Sequence, residues 1–272
     1  MEGTPVAENI EARVKEKVEE LDFQPTLDIV RAGKDPASEI YVKKKLSKAE
    51  ELGIKGEAHV LPGDCREEEL LELISVLNDK KTGGMIVQLP LPAHIDEQKV
   101  LEEVLPERDA DGFHPLNMGR LAEGRPSIVP ATPKGVMEML RHYGAKFEGA
   151  EAVVVGRSNI VGKPVSYLLT NANATVALCH SRTRELSAHT RKADILVVAV
   201  GKPKLITADM VKDGAFVLDV GINRVEGKVV GDVDFEGVSK KANVSPVPKG
   251  VGPLTVAMLM ENVLECAGAK LR

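Results

Sequence analysis

Lys45 is the residue of this chain whose placement most directly suggests acid–base chemistry. It ends the run Tyr41–Lys45, which follows Asp35 and Pro36, a capping residue and a proline suited to the first helical position. Three apolar residues of this helix have the spacing of a buried stripe: Val42, Leu46 and Ala49. Tyr41 and Lys45 lie one turn apart at the edge of that stripe, so the ammonium can be partly removed from water. Partial desolvation favours proton transfer near neutral pH, whereas the alternative interpretation is a solvated basic face.

A second chemical signal is the glycine-containing turn that begins at Gly156. It follows the buried strand pattern of residues 152–155 and opens a predicted helix. Glycine at such a turn lets the backbone approach a pyrophosphate, and the helix N-terminus stabilises the negative charge. The spacing departs from the usual GxGxxG because Ser158 occupies the second glycine position and the last glycine is displaced to Gly162. The pattern predicts a dinucleotide site that includes Gly156, Arg157 and Ser158, and a plain strand-to-helix turn is the alternative.

The end of the next predicted strand indicates which dinucleotide is bound. An NAD site usually places Asp or Glu there for the ribose 2′-hydroxyl, but residues 179–183 contain no acid. Ser181, Arg182 and Arg157 instead offer hydrogen bonds and positive charge, which suit a 2′-phosphate. We therefore predict NADP rather than NAD, with surface arginines that bind no ligand as the alternative.

Two further turns follow buried strands in this half of the chain. Gly201–Pro203 and Gly221–Arg224 come after the third and fourth strand patterns, and ligands bind at the carboxyl ends of parallel strands. Ile222 is placed to contact the nicotinamide or its ribose. Either segment could equally be an ordinary tight turn.

Composition narrows the class of protein. The chain has 272 residues, a net charge of −5 and no Trp, so a general nucleic-acid binder is disfavoured. Its three cysteines form no CxxC pair and its six histidines have no HxxxH or HExxH spacing, which argues against a disulfide framework or a metal site. The longest apolar run, residues 195–200, is too short to span a bilayer, and the first ten residues lack a signal-peptide core. We expect a soluble cytoplasmic protein.

Alternating helix and strand patterns predict an α/β fold with two domains. The first contains residues 1–140, and the second, a Rossmann-type domain with a parallel sheet, contains residues 141–252. The last predicted helix, within residues 253–272, is expected to return to the first domain. Between the two patterns, residues 109–133 are rich in Pro and Gly and have little periodicity, so we interpret them as a long functional loop. We expect the active site in the cleft between the domains.

Five segments occur together in a specific order. They are Asp35–Lys45, Gln88–Pro92, Asp109–Pro115, Gly156–Pro164 and Pro246–Thr255. The set closely resembles the bifunctional methylenetetrahydrofolate dehydrogenase/methenyltetrahydrofolate cyclohydrolase family, and the resemblance covers nearly the whole chain. It implies oxidation of 5,10-methylenetetrahydrofolate by NADP and hydrolysis of the methenyl product to 10-formyltetrahydrofolate in the same site, without a metal.

The resemblance implies roles for individual positions in the first domain. Lys45 matches the family's catalytic lysine, Tyr41 its active-site tyrosine and Gln88 the glutamine that hydrogen-bonds the lysine. Asp111 matches the acid that holds the pterin ring. From the residues alone, Gln88 and Asp111 could equally be a strand-end amide and a loop-capping acid.

The resemblance also bears on the second domain and on the biology. It assigns the NADP contacts to Gly156, Arg157, Ser158, Ser181 and Ile222, and it implies a homodimer formed through the nucleotide-binding domains. The activity would belong to folate one-carbon metabolism, which supplies purine biosynthesis. This chain departs from the family pattern at Ala131, where cysteine is common, and at Lys249, where a second glycine is usual. Lys249 adds positive charge near the predicted substrate cleft.

Two other functions remain open at this point. One is a monofunctional NADP dehydrogenase that acts on another small substrate and has no need of Lys45, Gln88 and Asp111 together. The other is a non-enzymatic module that senses NADP, which would bind NADPH without turnover and would need no polar cluster in the first domain.

Overall fold

The first part of the chain alternates helices with three parallel strands. The computed structural model describes residues 1–269, apart from the side chain of Ala37. The elements of this part are α1 (Thr4–Glu19), β1 (Thr26–Ala32), α2 (Pro36–Glu51), β2 (Lys55–Leu61), α3 (Glu67–Asn78), β3 (Gly83–Val87), α4 (Glu97–Glu103) and α5 (Pro115–Ala122). The strands form a sheet in the order β2-β1-β3. The predicted α/β fold is confirmed here.

Helix α2, which carries Lys45, begins and ends where its local sequence predicts. The Asp35 carboxylate accepts a 2.7 Å hydrogen bond from the Ser38 backbone N–H, and Pro36 takes the first helical position. Gly53, with φ of 79°, follows the last turn in the left-handed conformation that glycine adopts at low cost. These interactions fix both ends of the helix and therefore the helical turn on which Lys45 lies.

The second part of the chain contains a five-stranded parallel sheet in the order β10-β7-β6-β4-β5. Strands β8 and β9 form a separate antiparallel hairpin. The helices are α6 (Ala131–His142), α7 (Gly162–Asn171), α8 (Leu186–Thr190), α9 (Phe235–Val238) and α10 (Val251–Cys266), with a 3₁₀ turn at Ala208–Met210. The strands are β4 (Glu151–Val155), β5 (Thr175–Cys179), β6 (Ile195–Val198), β7 (Phe216–Asp219), β8 (Asn223–Val225), β9 (Lys228–Val230) and β10 (Asn243–Val244).

The structure corrects three sequence expectations about local structure. Residues 109–133 are not one irregular loop, because α5 lies within them and begins at a proline. Thr132 followed by Pro133 predicts a helix that is capped at Thr132, but helix α6 starts one residue earlier, at Ala131. The sequence of residues 183–192 predicts one helix, but α8 is shorter, because Glu185 adopts the left-handed conformation with φ of 48° immediately before it.

Two compact units divide the described residues. The Lys45 unit comprises Asn9–Arg120, Pro126–Ala131 and the described part of Val256–Arg272, and the Gly156 unit comprises Met1–Glu8, Leu121–Arg125 and Thr132–Thr255. Helix α6 thus groups with the Gly156 unit, although the sequence analysis put residues up to 140 in the other domain. Gly135 of α6 lies against Leu254, and Tyr143 after α6 accepts a hydrogen bond from the Glu2 N–H. Residues 270–272 of the predicted last helix lie outside the described residues.

Each unit has an aliphatic core. The Lys45 unit buries residues from β1, β3, α3 and α4 together, among them Val30, Leu70, Ile74, Met85 and Val100. The Gly156 unit buries the inward side chains of its sheet, among them Val153, Val155, Leu196, Val198 and Val217. The burial of these apolar side chains stabilises each sheet, and close packing keeps the ends of its strands in fixed positions. Within residues 1–269, no helix combines the length and apolar character needed to cross a bilayer.

Candidate active site

Lys45 and Gln88 meet at the carboxyl edge of the three-stranded sheet. The Gln88 N–H continues the β1–β3 ladder by donating to the Val30 carbonyl at 2.8 Å. Its side-chain Nε2 donates to the Leu89 carbonyl at 2.8 Å, so Oε1 faces α2. Lys45 Nζ donates to that Oε1 at 3.1 Å. The glutamine thereby holds a half-buried lysine through a neutral hydrogen-bond partner.

Tyr41 lies one turn before Lys45 on the same helix. Its side chain is 41% exposed, which leaves a ring face available to a planar ligand. Tyr41 and Lys45 share helix α2 and therefore the same helix caps.

Asp111 is carried by a loop that attaches to β3. The Ala110 N–H donates to the Met85 carbonyl at 3.0 Å, and Met85 donates to the Arg108 carbonyl in return. Gly84, beside Met85, leaves room for the loop, since a Cβ at that position would lie 2.7 Å from the Ala110 Cβ. The Asp111 side chain is therefore presented from a backbone pinned to the same sheet as Gln88.

Electrostatics couple Asp111 to Lys45. Burial raises the pKa of Asp111 to about 6, the charge of Lys45 lowers it, and the charge of Asp109 raises it. A carboxylate that titrates near neutral pH beside a lysine is typical of a functional site. The structure thus brings Lys45, Gln88 and Asp111 together in one unit, with Tyr41 beside them.

Asp109 is a residue of this site that the sequence analysis did not single out. Its buried carboxylate accepts hydrogen bonds from Gly112 N (2.9 Å), His114 N (2.8 Å) and Asn117 Nδ2 (3.0 Å). Burial raises its pKa, although these donors lower it. Asp109 therefore shapes the turn that presents Asp111. A hint was available in the sequence, because Asp three residues before Gly commonly forms such a turn.

One group of potential metal ligands occurs in the described part of the chain. Asp28, Glu57 and His59 bring ligand atoms within 4.8 Å of one another. However, Lys80 Nζ donates to Asp28 Oδ1 at 2.7 Å and approaches Glu57 at 3.5 Å, while Arg108 donates to the other Asp28 oxygen. Two cations already neutralise these carboxylates, so the group is an ion cluster.

The turn after β4 in the Gly156 unit is built for close backbone approach. Gly156 has φ of 126°, and a Cβ there would lie 2.2 Å from the Ala199 carbonyl oxygen. A Cβ at Gly162 would lie 1.9 Å from the Gly156 carbonyl oxygen. Both positions therefore require glycine, and together they bring the first turn of α7 against the strand end. This is the cradle that a dinucleotide pyrophosphate needs.

Ser158 and Arg157 stand at this cradle. Ser158 Oγ accepts hydrogen bonds from Val161 N (3.2 Å) and Gly162 N (3.3 Å), which stabilises the entry to α7. Its hydroxyl proton remains a donor for a phosphate. The side chain of Arg157 is exposed beside it and supplies positive charge.

The turn after β5 presents Ser181 and Arg182. The Thr183 N–H donates to the His180 carbonyl at 2.8 Å, and the His180 N–H donates to Thr183 Oγ1 at 2.8 Å. The side chains of Ser181 and Arg182 are exposed at the tip of this turn. Strand β5 is the neighbour of β4, and the Gly156 N–H donates to the Cys179 carbonyl. The two turns are therefore adjacent, and their residues fit a ribose phosphate.

Ile222 follows β7 at the same edge of the sheet. Its side chain is 54% exposed, so its apolar surface is open to a ligand at this edge. The structure thus places the five predicted cofactor residues on strand ends and turns of one sheet.

Comparison with known proteins identifies the family. The catalytic-domain model of tetrahydrofolate dehydrogenase/cyclohydrolase matches residues 1–111, and the NAD(P)-binding-domain model of the same family matches residues 130–271. The chain belongs to the tetrahydrofolate dehydrogenase/cyclohydrolase family. As a member, it is an enzyme with an oxidoreductase and a hydrolase activity on folate one-carbon derivatives, and its Gly156 unit contains most of the NAD(P)-binding domain.

Individual relatives agree with this assignment over their full length. The bifunctional protein FolD of Sulfurihydrogenibium sp. (strain YO3AOP1) is 52% identical, with 100% of this chain and 98% of the relative covered. The crystal structure of the bifunctional FolD enzyme from Campylobacter jejuni matches with a TM-score of 0.96 and 46% identity, covering 98% of this chain and 97% of the other. FolD of Trypanosoma brucei, complexed with NADP cofactor and an inhibitor, matches with a TM-score of 0.94 and 38% identity, covering 98% and 96%.

Proposed function

We propose that Lys45, Gln88 and Asp111, with Tyr41, serve both reactions of this dehydrogenase/cyclohydrolase on one bound folate. The observation that carries the proposal is the 3.1 Å hydrogen bond from Lys45 Nζ to Gln88 Oε1, beside an aspartate whose pKa responds to Lys45. A dehydrogenase for alcohols or amino acids would not need this trio, and a module that only senses NADP would need none of it.

Each side chain has a task in the binding of folate. The Asp111 carboxylate accepts the N–H edge of the pterin, a pairing that fixes the orientation of the ring. The exposed ring of Tyr41 packs against the flat face of the substrate. Gln88 holds Lys45 Nζ in place through a neutral amide, so that the amine can lose and regain a proton.

The chemistry then divides between the cofactor and Lys45. NADP held by Gly156, Arg157, Ser158 and Ser181 would supply the acceptor for the hydride of the methylene carbon of 5,10-methylenetetrahydrofolate. In the second reaction a water oxygen adds to the methenyl carbon and loses one proton. The hydroxyl formed then gives up its own proton to become the formyl C=O while the bond from that carbon to N5 breaks and N5 gains a proton, so that 10-formyltetrahydrofolate and one released proton result. Lys45 relays the proton that leaves the water, which is general acid–base catalysis by a positioned amine.

The residues at the strand ends of the Gly156 unit support NADP as the cofactor. Gly156 and Gly162 form the pyrophosphate cradle, and Ser158 has a free donor. Arg157, Ser181 and Arg182 supply the charge and hydrogen bonds for a 2′-phosphate, and no acid follows β5 to pair with a 2′-hydroxyl. The Trypanosoma brucei relative binds NADP, which agrees with this preference.

An assay of both activities tests the proposal. Lys45→Met is expected to lower cyclohydrolase activity by about 100-fold or more, because the proton relay is lost while the aliphatic stem is kept. Lys44→Met, at the neighbouring exposed position, is the matched control and should hydrolyse methenyltetrahydrofolate like the wild type. Wild-type enzyme assayed in parallel with NADP and NAD should have the higher kcat/KM with NADP.

Two results would contradict the proposal. Full hydrolysis by Lys45→Met removes the relay role, and equal or better use of NAD removes the argument from Arg157, Ser181 and Arg182. Circular dichroism of each variant establishes that a lost activity is not a lost fold.

We further propose a homodimer formed through the Gly156 unit, in the cytoplasm. The hairpin β8–β9 and helix α9 carry exposed apolar side chains, namely Val225, Val229 and Phe235, which would be covered in a dimer. Cys65, Cys179 and Cys266 form no disulfide with one another, in keeping with a reducing compartment. Light scattering should give a molar mass about twice the 29.3 kDa of the chain. A mass equal to that of one chain at micromolar concentration would exclude the dimer.

A further inference from the structure

Asp232 is a fully buried carboxylate that lies against the cofactor edge of the five-stranded sheet. Its relative exposure is 0%, and it accepts four hydrogen bonds. Oδ2 accepts from the backbone N–H groups of Val200 (2.7 Å) and Gly201 (3.0 Å). Oδ1 accepts from Lys202 N (2.7 Å) and Asn223 Nδ2 (2.9 Å). One side chain thus joins the turn after β6 to the segment after β7.

A second buried aspartate holds the backbone of Asp232 in place. Asp219, at the end of β7, accepts hydrogen bonds from Asp232 N (3.0 Å), Val233 N (2.9 Å) and Gly221 N (3.0 Å). Burial raises the pKa of Asp219 to about 6, these N–H donors lower it, and the charge of the nearby Asp232 raises it. The two carboxylates therefore act together: Asp219 holds the backbone of Asp232, and Asp232 holds the Val200–Lys202 turn.

Two glycines make room for this pair. A Cβ at Gly221 would lie 2.2 Å from the Asp232 carboxyl carbon, and a Cβ at Gly231 would lie 1.8 Å from Asp219 Oδ2. Neither glycine has a positive φ, so space and not backbone conformation requires glycine at these positions. Two positions without a side chain thus make room for two buried acids, whose hydrogen bonds offset the cost of removing them from water.

The segments held by Asp232 are those that border the predicted cofactor residues. Ile222 lies between Gly221, which Asp219 holds, and Asn223, which Asp232 holds. On the other side, the Ala199 carbonyl touches the Gly156 turn and directly precedes Val200. The carboxylate thereby sets the spacing between the nicotinamide side and the pyrophosphate side of the site.

We propose that Asp232 is a positioning residue for the cofactor, which holds the Val200–Lys202 turn and Asn223 so that the Gly156 turn and Ile222 face one bound NADP. This inference rests on the proposed NADP site in the Gly156 unit and assigns that site its supporting group. Asp232 does not touch the cofactor, and it acts through backbone N–H groups. Hydrogen bonds to a buried carboxylate are strong enough to preorganise two turns that would otherwise move independently.

Asp232→Asn tests the proposal, because the amide replaces one oxygen with an NH₂ that cannot accept the N–H groups facing it. We expect the dissociation constant for NADPH to rise about tenfold and the ratio of dehydrogenase to cyclohydrolase activity to fall about tenfold. The fluorescence of NADPH reports binding directly, since the chain has no Trp. A loss of general stability would lower both activities and leave their ratio unchanged.

Asp194→Asn is the matched control. Asp194 lies at the opposite end of β6, where it accepts a hydrogen bond from the Glu151 N–H at 3.0 Å. The Asp194→Asn variant should be somewhat less stable than the wild type and should keep the wild-type affinity for NADPH. Asn223→Ala is the second variant; it removes one of the four hydrogen bonds and should raise the dissociation constant by about threefold even where Asp232→Asn does not fold.

The outcomes separate the inference from the function it rests on. Wild-type affinity for NADPH in both Asp232→Asn and Asn223→Ala overturns the positioning role, as does an equal loss in Asp194→Asn. A wild-type enzyme that binds no NADPH at all would instead overturn the proposed NADP site.

Discussion

Asp111 is the residue of this site whose charge is expected to change near neutral pH. In its proposed role the carboxyl must be ionised to accept the N–H edge of a pterin, yet burial raises its pKa to about 6 against the opposing charge of Lys45. Below that pH the group becomes a neutral acid that has lost part of its acceptor capacity. Affinity for folate should therefore depend on pH in a range where an ordinary aspartate stays charged.

The KM for methenyltetrahydrofolate in the cyclohydrolase reaction should rise about tenfold per pH unit below pH 6. The physical reason is that each unit of pH lowers the ionised fraction of Asp111 by that factor. Initial rates between pH 5 and about 8 measure this directly. Asp111→Asn should have a high KM with no such dependence on pH. A flat KM profile in the wild type would show that Asp111 does not bind the substrate in its ionised form.

At the scale of elements, Asp28 connects four segments of the Lys45 unit. It lies on β1 with 1% exposure and meets His59 of β2, Lys80 after α3 and Arg108 before the Asp111 loop. Arg108 also donates to the Gly83 carbonyl at the start of β3. Burial raises the pKa of Asp28, but the hydrogen bonds from Lys80 and His59 and the nearby positive charges outweigh it and lower the pKa. The cluster holds together the strands that support the site.

Asp28→Asn should lower the free energy of unfolding by about 3–5 kcal/mol at pH 7, because Arg108 keeps a buried charge without its carboxylate. Urea unfolding followed by circular dichroism measures the change. Asp209→Asn, which breaks the exposed ion pair with Arg191, is the control and should cost far less.

The difference in stability between the wild type and Asp28→Asn should also depend on pH. A lowered carboxyl pKa contributes stability above its unfolded value, near 4, and loses it as the pH falls through the folded pKa. The difference in the free energy of unfolding should thus have its full size at neutral pH and become smaller below about pH 4. A difference that grew on acidification, or a cost no larger than that of Asp209→Asn, would contradict the stabilising role of the cluster.

For the whole molecule, the α/β fold and much of the site could be predicted from sequence, because the signals lie close in the chain to the elements they define. Asp35, Pro36 and Gly53 are neighbours in the chain of the helix they delimit, so their effect does not depend on distant residues. The Gly156 turn is local in the same sense. Helix α5 escaped prediction because it is short and its Gly119 weakens the helical pattern.

The residues that could not be predicted are those whose partners are far away in sequence. Lys45 and Gln88 are 43 positions apart, and only the family resemblance joined them before the structure did. Asp109 and Asp232 appear as ordinary polar residues of loops. Their burial, and the backbone N–H groups that make it tolerable, depend on how several strand ends come together, which no local spacing indicates.

Helix α10, which is synthesised late, completes the loop that carries Asp109 and Asp111. Asn262 of this helix donates from Nδ2 to the Ala110 carbonyl and to the Val129 carbonyl, each at 2.8 Å. Ala110 lies between the two aspartates of the loop, and 152 positions separate it from Asn262. During translation, Asp109 and Asp111 leave the ribosome long before Asn262, whose amide holds the backbone between them. A nascent chain stopped short of α10 would therefore carry every group proposed to contact folate and still lack a finished pocket.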